Sequence, residues 1–174
     1  MAASIRAPTD TIATEEIVGK VVRAGAVASM VLLWSGMAGA QVPSIYGLWL
    51  IESKSAHIEL APCADASRGP LCGSIRHLID IRDAEGKPVK PEDAIDARNA
   101  DPKLRTRKVL GMVMLYDFKP GGESNSFSEG TIYSGEDGKT YRANVKLQAD
   151  GTLLLRGYVG TPLFGKSQVW TRLR

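Results

Sequence analysis

The chain has 174 residues, 22 Lys+Arg against 19 Asp+Glu, and a hydrophobic fraction of 44%. This near-average composition excludes a disordered, collagen-like or coiled-coil chain. A single uncharged apolar run excludes a multi-pass membrane protein, and a net charge of +3 is too small to call for nucleic acid.

The run is Ala24 to Ala40, which follows Lys20 and Arg23 and ends on the small residues Ala38, Gly39 and Ala40. A positive flank, a short apolar stretch and an A-x-A site are the three parts of a secretory signal peptide. The expected organisation is therefore a signal helix over residues 1–40, cut between Ala40 and Gln41, and one domain over 41–174. The expected location is the periplasm or the medium of a bacterium. The rival is an uncleaved anchor, but the run is short for a spanning helix and holds Gly25, Gly36 and Gly39. Asp10, Glu15 and Glu16 are unusual ahead of such a run and point to a start codon further downstream. No Cys stands at the cut to take a lipid, and no Arg-Arg pair precedes the run.

After residue 40 the apolar residues mostly alternate, and glycine-containing turns interrupt them often. The alternation predicts a strand over Tyr46–Glu52 and a second over Ala56–Ala61. Cys63 and Cys72 follow, with Gly69-Pro70 between them to turn the chain. An even cysteine count at short spacing in an exported chain favours a disulfide across a hairpin loop, against two free thiols. The third strand is expected over Gly73–Asp80, with Ile75, His77 and Ile79 on one face. The polar, proline-containing stretch Arg82–Lys108 breaks the rhythm and reads as a long loop with one helical turn near Glu92–Ala97. Further strands are expected over Val109–Phe118, Phe127–Tyr133, Thr140–Leu147, Thr152–Val159 and Gln168–Leu173. In the sixth, Tyr141, Ala143, Val145 and Leu147 face inward. Asp137-Gly138 and Asp150-Gly151 are hairpin turns.

Eight short strands with close hairpins predict an all-β fold, an eight-stranded antiparallel up-and-down barrel, whose closure removes exposed edges. A two-sheet sandwich is the alternative.

Gly47-Leu48-Trp49 on the first strand resembles the G-x-W signature of lipocalins. That resemblance implies a Trp at the closed end of the barrel with an Arg of the last strand across its ring, which assigns Gly47, Trp49 and Arg172 as the structural signature. A longer set of motifs runs along the chain: Leu71-Cys72-Gly73-Ser74-Ile75, Asp101-Pro102-Lys103-Leu104-Arg105-Thr106-Arg107, Gly130-Thr131-Ile132-Tyr133, Asp137-Gly138-Lys139-Thr140-Tyr141, and Leu155-Arg156-Gly157-Tyr158-Val159-Gly160, leading to Trp170. From Gly47 to Trp170 the chain resembles the bacterial exported family catalogued as domain of unknown function 2147. The resemblance implies a lipocalin-like barrel in the cell envelope and no established activity. That family usually has Asp-Pro after Gly-Thr-Ile-Tyr; here Ser134-Gly135 take its place.

Candidate chemistry is sparse. His57 and His77 are the only histidines, and strand pairing would bring them within reach of each other, as ligand contacts or proton carriers. The plainer reading is two ordinary strand residues. Two histidines without a third ligand predict no metal site. Asp137-Gly138-Lys139-Thr140 lacks the spacing of a phosphate loop, and no G-x-S-x-G or H-E-x-x-H follows residue 40. No catalytic residue and no cofactor is therefore assigned. Arg105 and Arg107 form a basic cluster suited to an anionic head group, or simply a solvated loop. Tyr116, Tyr133, Tyr141 and Tyr158 would line an apolar cavity, or fill a dry core. Leu163 and Phe164, between glycines, are expected to fold over one end of the barrel as a plug, with a partner surface as the alternative.

The favoured function is binding of a small apolar or amphipathic ligand by an exported barrel. The alternatives are an envelope structural or interaction protein with a filled barrel and some membrane-surface contact, and an enzyme using His57 or His77. Nothing in the sequence speaks to oligomeric state.

Overall fold

The apolar alternation becomes the inside and outside of one sheet. The structure, a computed structural model, describes residues 44–83 and 85–173; the predicted signal helix lies outside them. Nine strands follow in chain order: β1 (Gly47–Leu50), β2 (Ala56–Ala61), β3 (Cys72–Leu78), β4 (Val113–Tyr116), β5 (Lys119–Pro120), β6 (Ser126–Ser134), β7 (Lys139–Leu147), β8 (Leu153–Tyr158) and β9 (Gly165–Arg172). All pairings are antiparallel, in the order β4-β3-β2-β1-β9-β8-β7-β6-β5, and a β4–β6 pairing closes the sheet on itself. β4 and β5 both pair with β6, so they are one strand bent at Asp117, whose φ is 60°. The result is an eight-stranded antiparallel up-and-down barrel, as the strand count predicted.

Strand chemistry accounts for the register. In β2, Ala56, Ile58 and Leu60 are buried and alternate with half-exposed residues. In β7, Ala143, Val145 and Leu147 are buried in the same rhythm, with Tyr141 only half-buried at its head. Opposite them, Gly157, Leu155 and Leu153 of β8 complete the pairs. The interior is packed. Trp49, Trp170, Phe118, Ile58, Leu60, Leu115 and Leu153 are among its fully buried side chains. Gly130 makes room for this packing, since a Cβ there would collide with the Phe118 ring.

Four expectations need correction. First, Ile75 and His77 do not share a face. A bulge in the β2–β3 ladder leaves Arg76 unpaired, so His57 meets His77 on the outside while Ile58 meets Ile75 inside. Second, the fourth strand is shorter than Val109–Phe118. Val109–Met112 forms a turn with Gly111 at φ +84°, and the kink at Asp117 ends β4 at Tyr116. Third, the helical turn in the long loop starts at Pro91 and ends at Asp93, and a second lies at Pro102–Leu104; both are 3-10 turns begun by proline. Fourth, Leu163 and Phe164 are no plug: they are 79% and 78% exposed.

The loops at one end are β1–β2 (residues 51–55), β3–β4 (79–112), β6–β7 (135–138) and β8–β9 (159–164). The disulfide loop and the β7–β8 turn lie at the other.

Candidate functional site

Three constellations carry the polar chemistry of the barrel. The most buried is built by the long loop. Asp96 has a fully buried side chain, although the loop around it is polar. Its carboxylate accepts from the Tyr133 hydroxyl at 2.5 Å, from Asn99 Nδ2 at 2.7 Å and from Arg107 Nη2 at 2.6 Å. Asn99 Nδ2 also donates to the Tyr133 hydroxyl at 3.0 Å. The Arg107 guanidinium lies 5.4 Å from the Tyr133 ring centre. Arg105 Nε donates to the Asn99 carbonyl at 2.9 Å and so holds the loop backbone. Burial alone would raise the Asp96 carboxyl, but the donors of Tyr133, Asn99 and Arg107, with the Arg107 charge, hold it below the usual carboxylate range. Burial and the bond to Asp96 push the Tyr133 phenol up to about 12. These are the properties of a clasp: an ionised carboxylate and a neutral phenol, fixed at neutral pH. The clasp ties the loop to β6, and the β6–β7 turn fits beneath it, because a Cβ at Gly138 would strike the Arg98 carbonyl.

Beside this clasp lies an open groove of about 570 Å³ on the outer face of β2, β3 and β4. Arg68, Arg76 and Arg107 stand around it, and Pro62, Met112 and Val113 supply apolar surface. Arg76 is held by Glu59, Nη2 to Oε2 at 2.5 Å. Arg68 covers the Tyr116 ring at 4.0 Å and pairs with Asp117 at 3.3 Å. Arg107 Nε is buried and has no hydrogen-bond partner among the described residues. A second open groove, of about 490 Å³, lies at the β7–β8 end. Both concavities are shallow and open to solvent.

The third constellation is the histidine pair. His57 and His77 are cross-strand partners with ring centres 5.1 Å apart. Neither imidazole hydrogen-bonds to a carboxylate among the described residues; the nearby Glu59 is engaged by Arg76. Among the described residues no three His, Cys, Asp or Glu side chains gather as a metal site.

The remaining predicted residues are dispersed. Tyr116 lies under Arg68, Tyr133 in the clasp, and Tyr141 donates its hydroxyl to Asp137. Tyr158 shares the outer face of β8 with Leu154 and Arg156 and reaches Asn144 Oδ1 at 3.4 Å. Of the predicted ligand residues, His57 thus meets His77 and Arg107 meets Tyr133. Cys63 and Cys72 are joined, with Cα atoms 4.9 Å apart, at the neck of the β2–β3 loop. Arg172 lies over the Trp49 ring at 4.2 Å and donates to the Tyr46 and Ser44 carbonyls, while Trp49 Nε1 donates to the Ile45 carbonyl at 3.0 Å.

The Trp49–Arg172 stack thus joins the first and last strands of the barrel. A family model described as an uncharacterized protein conserved in bacteria (DUF2147) matches residues 47–172. The chain belongs to this family. It is also similar to the solved structure of protein HP1028 from the human pathogen Helicobacter pylori, which is described as belonging to the lipocalin family. The two are 25% identical with a TM-score of 0.60, over 76% of this chain and 85% of that one. No curated protein matches the chain. The DUF2147 barrel is thus lipocalin-like in fold.

Sequence reasoning missed Asp96 and Asn99. Their one signal was the Asp-x-x-Asn spacing directly ahead of Asp101-Pro102, which puts both side chains on one side of a tight loop.

Proposed function

We propose that this DUF2147 protein is an exported binding protein of the bacterial envelope and that its ligand is a small amphipathic molecule with an anionic head. We place its site in the outer groove over β2–β4, a reading supported by the large side chains, such as Trp49, Phe118 and Trp170, that fill the interior. One observation carries the reading: three guanidinium groups, of Arg68, Arg76 and Arg107, outnumber the two carboxylates, of Glu59 and Asp65, around apolar surface from Pro62, Met112 and Val113. Guanidinium forks suit carboxylate and phosphate, and the adjoining apolar wall suits a short hydrocarbon. In this reading Arg107 has two duties, closing the clasp and facing the groove, while Arg105 serves the loop backbone. Among the described residues His57 and His77 hydrogen-bond to no carboxylate that would make them acid and base.

Native mass spectrometry of the protein recovered from the periplasm, beside a Val113→Glu variant, tests this. The expected result is a reproducible extra mass that denaturation removes and that the variant lacks. A bare mass for both, with no adduct on adding dodecanoate, would overturn it.

A further inference from the structure

From Gly151 to Leu173 the chain contains no Asp or Glu but holds Arg156, Lys166 and Arg172. This acid-free stretch is the β8–β9 hairpin, and its tip is apolar. Val159, Leu163 and Phe164 are 67%, 79% and 78% exposed. Scattered apolar residues on a surface need no account, but these are concentrated on one turn and their backbone is fixed. Arg156 Nε donates to the Pro162 carbonyl at 2.6 Å, its Nη2 to the Leu163 carbonyl at 3.3 Å, and its Nη1 to Ser167 Oγ at 2.9 Å. The Phe164 N–H donates to the Thr161 carbonyl, and the Gly165 N–H to the Pro162 carbonyl. Pro162 has no N–H to satisfy.

Two consequences follow. The turn cannot fold Leu163 and Phe164 back onto the barrel without breaking the Arg156 bonds. The Phe164 N–H and the carbonyls of Thr161, Pro162 and Leu163 are also already paired, which lowers the cost of taking that part of the turn out of water. The adjacent Lys166 side chain makes no hydrogen bond or ion pair, and no carboxylate pairs with Arg156, among the described residues.

We propose that the β8–β9 tip docks the protein on an anionic lipid bilayer, with Leu163 and Phe164 entering the interface and Lys166 and Arg156 lying against the phosphates. Short apolar projections beside basic residues bind anionic membranes in this way. The other loops at this end all carry acids, among them Glu52 in β1–β2, Asp80, Glu92 and Asp93 in β3–β4, and Glu136 and Asp137 in β6–β7, and these set the tilt: the β8–β9 tip enters first and those loops stay in solvent. The docking is independent of the groove on β2–β4.

The test is sedimentation of the full chain with vesicles of phosphatidylglycerol and phosphatidylcholine, or of phosphatidylcholine alone. Wild type is compared with Leu163→Ser/Phe164→Ser and with Lys166→Glu. The Ala24–Ala40 run is common to all three, so differences between them report the tip. Both apolar positions are exposed, and thermal melting checks that the variants fold. Wild type is expected to prefer the anionic vesicles and to weaken with salt. The double variant should lose at least about tenfold in partitioning, given the apolar surface removed. Lys166→Glu should lose the anionic preference. Equal partitioning of wild type and the double variant would overturn the proposal. So would a tip that drives self-association without vesicle binding.

Discussion

Replacing Asp96 by Asn keeps the shape of the side chain and removes its charge. The native carboxylate takes hydrogen bonds from Tyr133, Asn99 and Arg107 at 2.5, 2.7 and 2.6 Å. An asparagine would turn an NH₂ toward at least one of these donors. Hydrogen bonds to a charged group contribute about 1.5–3 kcal/mol each, and breaking a buried pair by removing one partner costs about 3–5 kcal/mol after desolvation is counted. The Arg107 side chain is 37% exposed and can turn to water, so the low end, about 3 kcal/mol, applies. For a domain of this size that corresponds to a fall in Tm of about 10–15 °C. Buried Trp49 and Trp170 make thermal unfolding followed by tryptophan fluorescence a direct assay. The loop should also become sensitive to trypsin at Arg98, Lys103 and Arg105. Tyr133→Phe should cost less, about 1–2 kcal/mol, and the double variant should fall short of the sum, because the two residues share one network. An Asp96→Asn protein that melts within about 2 °C of wild type, with an equally resistant loop, refutes the clasp.

Three further outcomes are expected. Acid should destabilise the protein through Asp96: its carboxyl is held below its ordinary value, so its contribution is present above about pH 4 and is lost as pH falls through the folded-state value. Tyr133 acts oppositely, its contribution being present below about pH 10 and lost as pH rises toward about 12; stability curves of wild type and Asp96→Asn against pH should converge at low pH. Cys63→Ser/Cys72→Ser removes a cross-link with a sequence separation of 9, and should cost about 2.7 kcal/mol in urea unfolding if the loop-entropy account holds. Arg172→Ala removes the cover of the Trp49 ring and two bonds to the Ser44–Tyr46 backbone, and should cost about 1–2 kcal/mol and alter Trp49 emission.

How far the sequence was legible depended on where the information lay. β2 has the bounds that the alternation of Ala56, Ile58 and Leu60 predicted, because period-two burial is written residue by residue. The Cys63–Cys72 bridge was legible because the chain has just two cysteines at short spacing, and the Arg172–Trp49 stack because the G-x-W resemblance implied it. The bulge at Arg76 was not, because apolar residues stand at Ile75, Leu78 and Ile79 and fit either face. Asp96 was hidden in a loop with many acids; its partner Tyr133 is 37 residues away, and only the folded loop brings them together. Leu163 and Phe164 read as a plug because apolar residues tend inward, and nothing local reveals that Arg156 ties their turn outward.

The bend at Asp117 has a mechanical consequence. It splits one strand, so β4 meets β6 at only Leu115–Ile132 and Tyr116–Thr131. On the far side, β1 meets β9 in register at only Trp49–Arg172 and Leu50–Thr171. The barrel therefore closes along two short seams: β4–β6, continued by β5–β6 past the bend, and β1–β9, to which the Leu173 N–H adds a bond to the Leu48 carbonyl. Parting a seam breaks few ladder bonds, whereas parting β6 from β7 breaks many. Amide protons at Leu115, Tyr116 and Leu50 should exchange at a lower opening energy than those of β7. A barrel with a packed interior then still has a built-in route by which that interior can part.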